Sequence, residues 1–174
     1  IITIVTVSLD YIYTYLYKVG SIQTKYQLLR SYKNKKVNYV FLGSSRVENG
    51  VNPELLKITN KTSVNLGFQS AKLIDTYTIL KLLDTYSIQY DTCFIQIDYS
   101  FNIKKGGSKI LASEMIPFYR ENQVIKHYFD KTDQSNNFKI PFYRYMNFDS
   151  KTGVRTLFKT ILPFKNKKIN KFKG

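Results

Sequence analysis

The 174-residue chain contains little cysteine, histidine, glycine or proline, and each shortage excludes a class of protein. A single cysteine, Cys93, cannot form an intramolecular disulfide, so a disulfide scaffold is excluded and the redox compartment stays open. One Cys and one His, with dispersed carboxylates, provide no cluster of metal ligands. Only 8 glycines and 4 prolines exclude a collagen-like chain. We therefore expect neither a metal nor a cofactor.

Acidic residues are also scarce, and the chain is strongly basic. It has 27 Lys and Arg against 12 Asp and Glu, a formal charge of +15. The lysines accompany many Ile, Asn and Tyr residues, which indicates A+T-rich codons as their origin. Arginines are few and scattered, whereas a nucleic-acid-binding surface concentrates Arg and Lys among stacking aromatics. We therefore predict no nucleic-acid partner, and 43% hydrophobic residues exclude a disordered polycation.

The first 17 residues are apolar and aromatic, apart from Ser8 and Asp10. This length is the short limit of a membrane-spanning helix, and an Asp inside one costs a few kcal/mol. Two interpretations stay open: the remnant of a transmembrane or anchor helix over residues 1–20, or an amphipathic or buried helix. The chain starts without Met and ends in a lysine-rich run. We expect an N-terminal fragment, with a partial domain over residues 21–174.

Three apolar runs predict β-strands at residues 37–42, 62–66 and 93–97. Helices are predicted between them, beginning at Pro53 after a capping Asn52 and covering 71–86. Further helices are predicted over 21–32, over 113–129 with an interruption at Pro117, and over 154–161. This alternation is typical of an α/β fold with a parallel sheet. Because no fourth or fifth strand is convincing, we expect an incomplete three-layer α/β/α sheet of flavodoxin-like type.

Small polar residues follow each predicted strand, where parallel sheets place their binding sites. The three groups are Gly43-Ser44-Ser45-Arg46, Asn65-Leu66-Gly67 and the stretch from Asp98 to Asn102. A nucleophilic serine needs a tight turn and nearby backbone N–H groups that hold an oxyanion. Small residues also end parallel strands for structural reasons alone. The nucleophile elbow of α/β-hydrolases is excluded, because position 47 is Val where the motif requires Gly.

Two short runs carry a resemblance to a known family: Val40-Phe41-Leu42-Gly43-Ser44-Ser45-Arg46 and Asn65-Leu66-Gly67, with an apolar strand leading to Asn102. Together they resemble the SGNH/GDSL hydrolase superfamily. More narrowly, they are similar to membrane-anchored SGNH-like proteins of bacterial cell envelopes, in which Gly-Ser-Ser-Arg replaces Gly-Asp-Ser. The resemblance covers roughly residues 37–102.

The resemblance implies a role for each strand end. Ser45 would be the nucleophile and would contribute its N–H to the oxyanion hole. Gly67 would contribute a second N–H, in a turn shaped by Asn65. Asn102 would be the third donor, with Ser100 as a competing choice. The supporting residues at the first strand end would be Gly43, Ser44 and Arg46, where Arg46 either pairs with Glu48 or Asp98 or contacts a substrate anion.

The function implied is hydrolysis or transfer of an acyl ester on a cell-envelope glycan or a related small ester, by a membrane-anchored extracytoplasmic protein. The family's C-terminal Asp-x-x-His has no match, and His127 has Val three residues before it, so we do not assign His127 as the base. Without a base, this chain alone is predicted to be nearly inactive. The alternative is a non-catalytic SGNH-like module of the envelope. A flavodoxin-like nucleotide binder is disfavoured, because no Gly-x-Gly-x-x-Gly or Walker loop occurs.

Overall fold

A computed structural model of the chain describes residues 2–20, 22, 24–98 and 106–146. These residues form a small parallel sheet flanked by helices, which confirms the predicted α/β class. In chain order, the elements are α1 (Ile2–Val19), α2 (Lys25–Ser31), β1 (Lys36–Leu42), α3 (Ser45–Gly50), a 3-10 helix (Pro53–Thr59), β2 (Ser63–Asn65), α4 (Leu73–Thr85), β3 (Gln89–Ile95), α5 (Lys109–Met115), a 3-10 turn (Ile116–Phe118), α6 (Gln123–Lys131) and a 3-10 turn (Ser135–Phe138).

The described sheet has three strands in the order β2-β1-β3, and both pairings are parallel. The first two strands lie where the apolar runs predict them. The third was predicted at 93–97 but is Gln89–Ile95, because Gln89 and Tyr90 already pair with β1. Polar residues occupy most of its first half, so no apolar run indicates a strand there.

The type and the bounds of several helices differ from the prediction. The Gly-Ser-Ser-Arg cluster opens the helix α3, although the sequence predicted only a turn there. Asn52 caps its segment as expected, with its side chain accepting from the Glu54 N–H at 3.0 Å, but the segment is 3-10. The predicted helix over 113–129 is divided into α5 and α6, since Pro117 lies in a 3-10 turn. The predicted helix over 154–161 lies outside the described residues.

The core lies between the sheet and the helices. Its fully buried members include residues from strands and helices alike: Tyr26, Leu29, Val37, Val40, Leu42, Leu82, Leu83, Leu111, Met115, Tyr128 and Phe129. Burying a side chain of this size contributes about 1.5–3 kcal/mol of transfer free energy. The helix predicted over 71–86 is α4, and it contributes Ile79, Leu82 and Leu83 to the core. Its predicted apolar face was partly wrong, because Leu73 and Tyr77, which share the three- and four-residue spacing with Leu83, are exposed.

Asp75, at the start of α4, joins three elements. Its carboxylate accepts from the backbone N–H of Lys72 at 2.7 Å and of Ser108 at 2.9 Å, and from the Tyr128 hydroxyl at 2.8 Å. Burial raises the pKa of Asp75, while these donors oppose the rise. A Cβ at Gly107 would lie 2.1 Å from the Tyr128 hydroxyl oxygen, so only glycine fits there. These contacts fasten α5 and α6 to α4.

A group of polar contacts fastens the helix α1 to the rest of the domain. We call it the Asp10 cluster and define it as Asp10, Thr14, Arg120 and Arg144, with Arg120 Nη1 3.2 Å from Asp10 Oδ1 and Arg144 Nη2 2.9 Å from Thr14 Oγ1. The Asp10 carboxylate accepts from Arg144 Nε at 2.9 Å and from Nη2 at 2.6 Å. Both side chains are almost completely buried. Within the described ranges, no helix combines the length and the apolar character that crossing a membrane requires.

Candidate functional site

The three strand ends meet at one edge of the sheet. The backbone N–H of Phe68, beyond β2, donates to Gly43 O at 3.0 Å, and that of Gln96, beyond β3, donates to Leu42 O at 2.9 Å. The end of β1 is therefore flanked on both sides. Since the chain leaves β1 toward β2 on one side and β3 lies on the other, this point is where the strand order reverses. Ligands of open α/β sheets bind in the crevice at such a point.

We call this edge the strand-end site and define it as Gly43, Ser44, Ser45, Arg46, Gln96 and Asp98. Gly43 is needed because its neighbours leave no room for a side chain. A Cβ at this position would lie 2.6 Å from Val47 Cγ2 and 2.7 Å from Gln96 Cβ. Glycine thus allows α3 to begin directly against the end of β3.

Ser44 is the centre of a hydrogen-bond network that crosses from β1 to β3. Its hydroxyl lies 3.0 Å from Asp98 Oδ2 and 3.2 Å from Gln96 Oε1. The Gln96 amide donates to the same Asp98 oxygen at 2.8 Å. Arg46 Nη1 lies 3.2 Å from Asp98 Oδ1, although the Arg46 side chain is 71% exposed. The network fixes Asp98 and leaves most of the Arg46 guanidinium open to solvent.

Ser45 is the first residue of α3 and is half-buried. Within the part of the chain that the structure describes, its hydroxyl makes no hydrogen bond, in contrast to the adjacent Ser44. The third donor expected beyond β3, Asn102 with Ser100 as the competing choice, lies outside the described residues. His127 is exposed on α6 and hydrogen bonds to no described side chain. The nucleophilic role of Ser45 therefore stays a prediction.

Asn65 and Gly67 pack beneath α3. The Asn65 amide donates to Val47 O at 2.7 Å and to Val51 O at 2.8 Å, which satisfies carbonyls at the end of α3. Its Oδ1 accepts from the Gly67 N–H at 2.9 Å. A Cβ at Gly67 would lie 2.7 Å from the Glu48 backbone nitrogen, so this close approach requires glycine. The Gly67 N–H would therefore have to leave Asn65 before it could hold an oxyanion.

A group of buried charges lies directly behind this turn, and we call it the Lys25 cluster: Lys25, Glu48 and Glu114. Lys25 Nζ donates to Gly67 O and lies 3.2 Å from Glu48 Oε1. Burial lowers the pKa of Lys25, while Glu48 opposes this. Glu114 accepts from the Tyr26 N–H at 2.9 Å, and burial raises its pKa to about 7. Among the described residues, Glu48 Oε2 has no hydrogen-bond partner.

Sequence reasoning missed most of these polar neighbours. Gln96 lies inside an apolar run, and its place beside Ser44 follows only from the pairing of β3 with β1. Lys25 and Glu114 belong to helices that come before and after the sheet in the chain, so no local spacing relates them to Ser45. No group of three or more His, Cys, Asp or Glu suited to a metal occurs in the ranges described.

Comparison of the chain with protein-family models, curated proteins and solved structures finds no match. The likeness to SGNH hydrolases consequently rests on the residues quoted above.

Proposed function

We propose that the strand-end site belongs to a serine ester hydrolase or O-acyltransferase of SGNH type, with Ser45 as the nucleophile. The observation that carries this proposal is the position of Ser45 at the point where the strand order reverses. Its hydroxyl is hydrogen bonded to no described residue there. A serine with a structural role would be hydrogen bonded like Ser44, whose hydroxyl donates to Asp98 Oδ2.

The reaction requires two steps, acylation of Ser45 and its deacylation. The Ser45 oxygen attacks the ester carbonyl and loses its proton to a base, and the departing alkoxide takes up a proton as the acyl-serine forms. Water or a sugar hydroxyl then attacks the acyl-serine and loses its proton to the base. The bond to the Ser45 oxygen breaks, this oxygen regains a proton from the base, and the acid or the transferred ester is released. Within the described residues, no base hydrogen bonds to Ser45. The proposal therefore assigns the nucleophile and leaves the proton acceptor to residues beyond those described.

The proposal includes a finer fold and a location. The order β2-β1-β3 equals the first three strands of the flavodoxin-like order 2-1-3-4-5, which supports a three-layer α/β/α domain. We further propose that the protein is extracytoplasmic in a bacterial cell envelope, held at the membrane through residues 1–20. Its substrate would be an acylated glycan or a related small ester. This location rests on the likeness to envelope proteins and on the exposed apolar residues of α1, such as Ile4, Ile12 and Val19.

A second candidate function, a non-catalytic envelope module, is favoured by one contact. The Gly67 N–H, the expected oxyanion donor, is already bonded to Asn65 Oδ1. In this reading the α/β scaffold and the polar network persist for structural reasons, and Arg46 contacts a partner.

An esterase assay separates the two candidates. The protein expressed from its complete reading frame is given a small aryl ester, beside the variants Ser45→Ala and Ser44→Ala. We expect Ser45→Ala to abolish turnover and Ser44→Ala to retain part of it, because only Ser45 is bonded covalently to the acyl group. The 174-residue chain is expected to be nearly inactive. Equal rates in the wild type and Ser45→Ala would refute the assignment, and a complete reading frame without Asp-x-x-His would favour the module.

A further inference from the structure

A cavity of about 310 Å³ lies away from the strand-end site, between the end of α1, the helix α2 and the turn after α4. Its walls include three cationic side chains and three neutral polar ones: Lys18, Arg30, Lys33, Gln27, Ser31 and Tyr86. Among the described residues, no acidic side chain lines it. A concave site of this size accommodates a small organic molecule.

The cations in the wall are only partly neutralised. Lys18 forms an ion pair with Glu121, whose side chain is 47% exposed, so solvent screens this contact. Arg30 lies over the Phe118 ring, 4.1 Å from the ring centre, which holds its guanidinium in place without cancelling its charge. Among the described residues, neither Arg30 nor Lys33 forms an ion pair. The wall therefore carries an excess of positive charge.

The backbone carbonyls of Leu28, Leu29 and Arg30, near the end of α2, already accept hydrogen bonds from the protein. At the end of α2, the carbonyl of Leu29 accepts from the Tyr32 N–H and that of Arg30 accepts from the Lys33 N–H, each at 3.1 Å. The Ser31 hydroxyl occupies the Leu28 carbonyl at 2.7 Å. Among the described residues that line the cavity, the charged side chains are all cationic, so the cavity presents positive charge to its contents.

We propose that this cavity binds a phosphate group carried on a small organic molecule or a lipid headgroup. A phosphate has the negative charge and the several acceptor oxygens that an Arg between two Lys can engage, and Arg binds it through paired N–H donors. The volume exceeds what a bare phosphate fills, which leaves room for a glycerol or sugar moiety. The lipid source is included because Val19, next to Lys18, is 63% exposed on α1.

The first experiment titrates the 174-residue chain with glycerol phosphate, followed by amide chemical shifts in NMR. We expect saturable shifts around residues 18–33. Lys33→Gln should weaken binding about tenfold, as the loss of one charged hydrogen bond does. Arg30→Lys keeps the charge but loses the paired donors, so it should weaken binding as well. Lys35→Gln is the matched control, because it removes the same charge two residues away without lining the cavity.

The second experiment distinguishes the source of the phosphate. The chain and its variants are sedimented with vesicles of phosphatidylglycerol or of phosphatidylcholine. Binding to the anionic vesicles that falls with Lys33→Gln more than with Lys35→Gln supports a lipid headgroup, and saturable binding of glycerol phosphate alone supports a soluble ligand. Absence of both, or equal losses in Lys33→Gln and Lys35→Gln, would overturn the proposal in favour of unspecific attraction to a basic protein.

Discussion

The Asp10 cluster and the strand-end site are both polar, but their groups are used in different ways. In the Asp10 cluster every nitrogen of Arg144 donates, to Asp10, to Thr14 Oγ1 and to Ile116 O, and the Asp10 carboxylate also accepts from the Phe142 N–H. At the strand-end site, the Ser45 hydroxyl has no described partner and the Arg46 side chain is 71% exposed. A closed network indicates a structural role, whereas an open one leaves groups available for a ligand.

The contrast between the two regions requires that the Asp10 cluster stabilise the fold. Asp10→Leu tests this, and we expect it to have the largest effect on the free energy of unfolding. The substitution leaves the Arg144 charge buried and unpaired, which typically costs about 3–5 kcal/mol. Urea unfolding followed by circular dichroism measures the loss. The double variant Asp10→Leu with Arg144→Met removes both charges and should regain much of the stability. A loss below about 1 kcal/mol in the single variant would contradict the structural role.

The Lys25 cluster lies behind the strand-end site, and its contribution to stability is expected to depend on pH through Glu114. The folded pKa of Glu114 is about 7, above its ordinary value of 4.5, so the folded protein holds a proton that the unfolded chain releases. Stability from this group is therefore greatest at low pH and is lost as pH rises from about 4.5 through 7. Glu114→Gln should remove about 3 kcal/mol of this dependence.

Urea midpoints of both proteins between pH 4 and pH 8 provide the measurement. Glu121→Gln serves as the matched control, because it makes the same substitution at a carboxylate that is 47% exposed at the surface. An identical slope in the wild type and Glu114→Gln would show that Glu114 ionises as freely in the folded protein as in the unfolded chain.

Local patterns predicted much of the fold. The apolar runs identified β1 and β2, and the spacing of Leu80 and Leu83 identified α4, because these patterns depend only on which side chains face the core. The polar first half of β3 was not predicted, because its strand conformation follows from its pairing with β1 and not from an apolar run. The break between α5 and α6 was predicted at Pro117, but the lengths of the two helices were not.

The candidate site was predicted less completely than the fold. The positions of Ser45 and Gly67 at neighbouring strand ends follow from parallel topology, so the sequence was sufficient for them. The partners of these residues depend on tertiary contacts. Lys25 reaches the Gly67 carbonyl across 42 residues, and Asp10 reaches Arg144 across 134. No spacing rule spans such separations, and only the packing of the helices establishes them.

The smallest expected effect compares two adjacent serines and tests the open character of the strand-end site directly. Ser44→Ala removes the hydroxyl that bonds Asp98 and Gln96, which should cost about 1 kcal/mol. Ser45→Ala removes a hydroxyl without a described partner, so it should change the free energy of unfolding by less than about 0.5 kcal/mol. Urea unfolding at pH 7 measures both. If Ser45→Ala destabilised the protein as much as Ser44→Ala, the Ser45 hydroxyl would be engaged by structure, and its availability for an ester would lose its support. The opposite result would mark Ser45 as a residue that the fold does not need, at the sheet edge where the three strand ends meet.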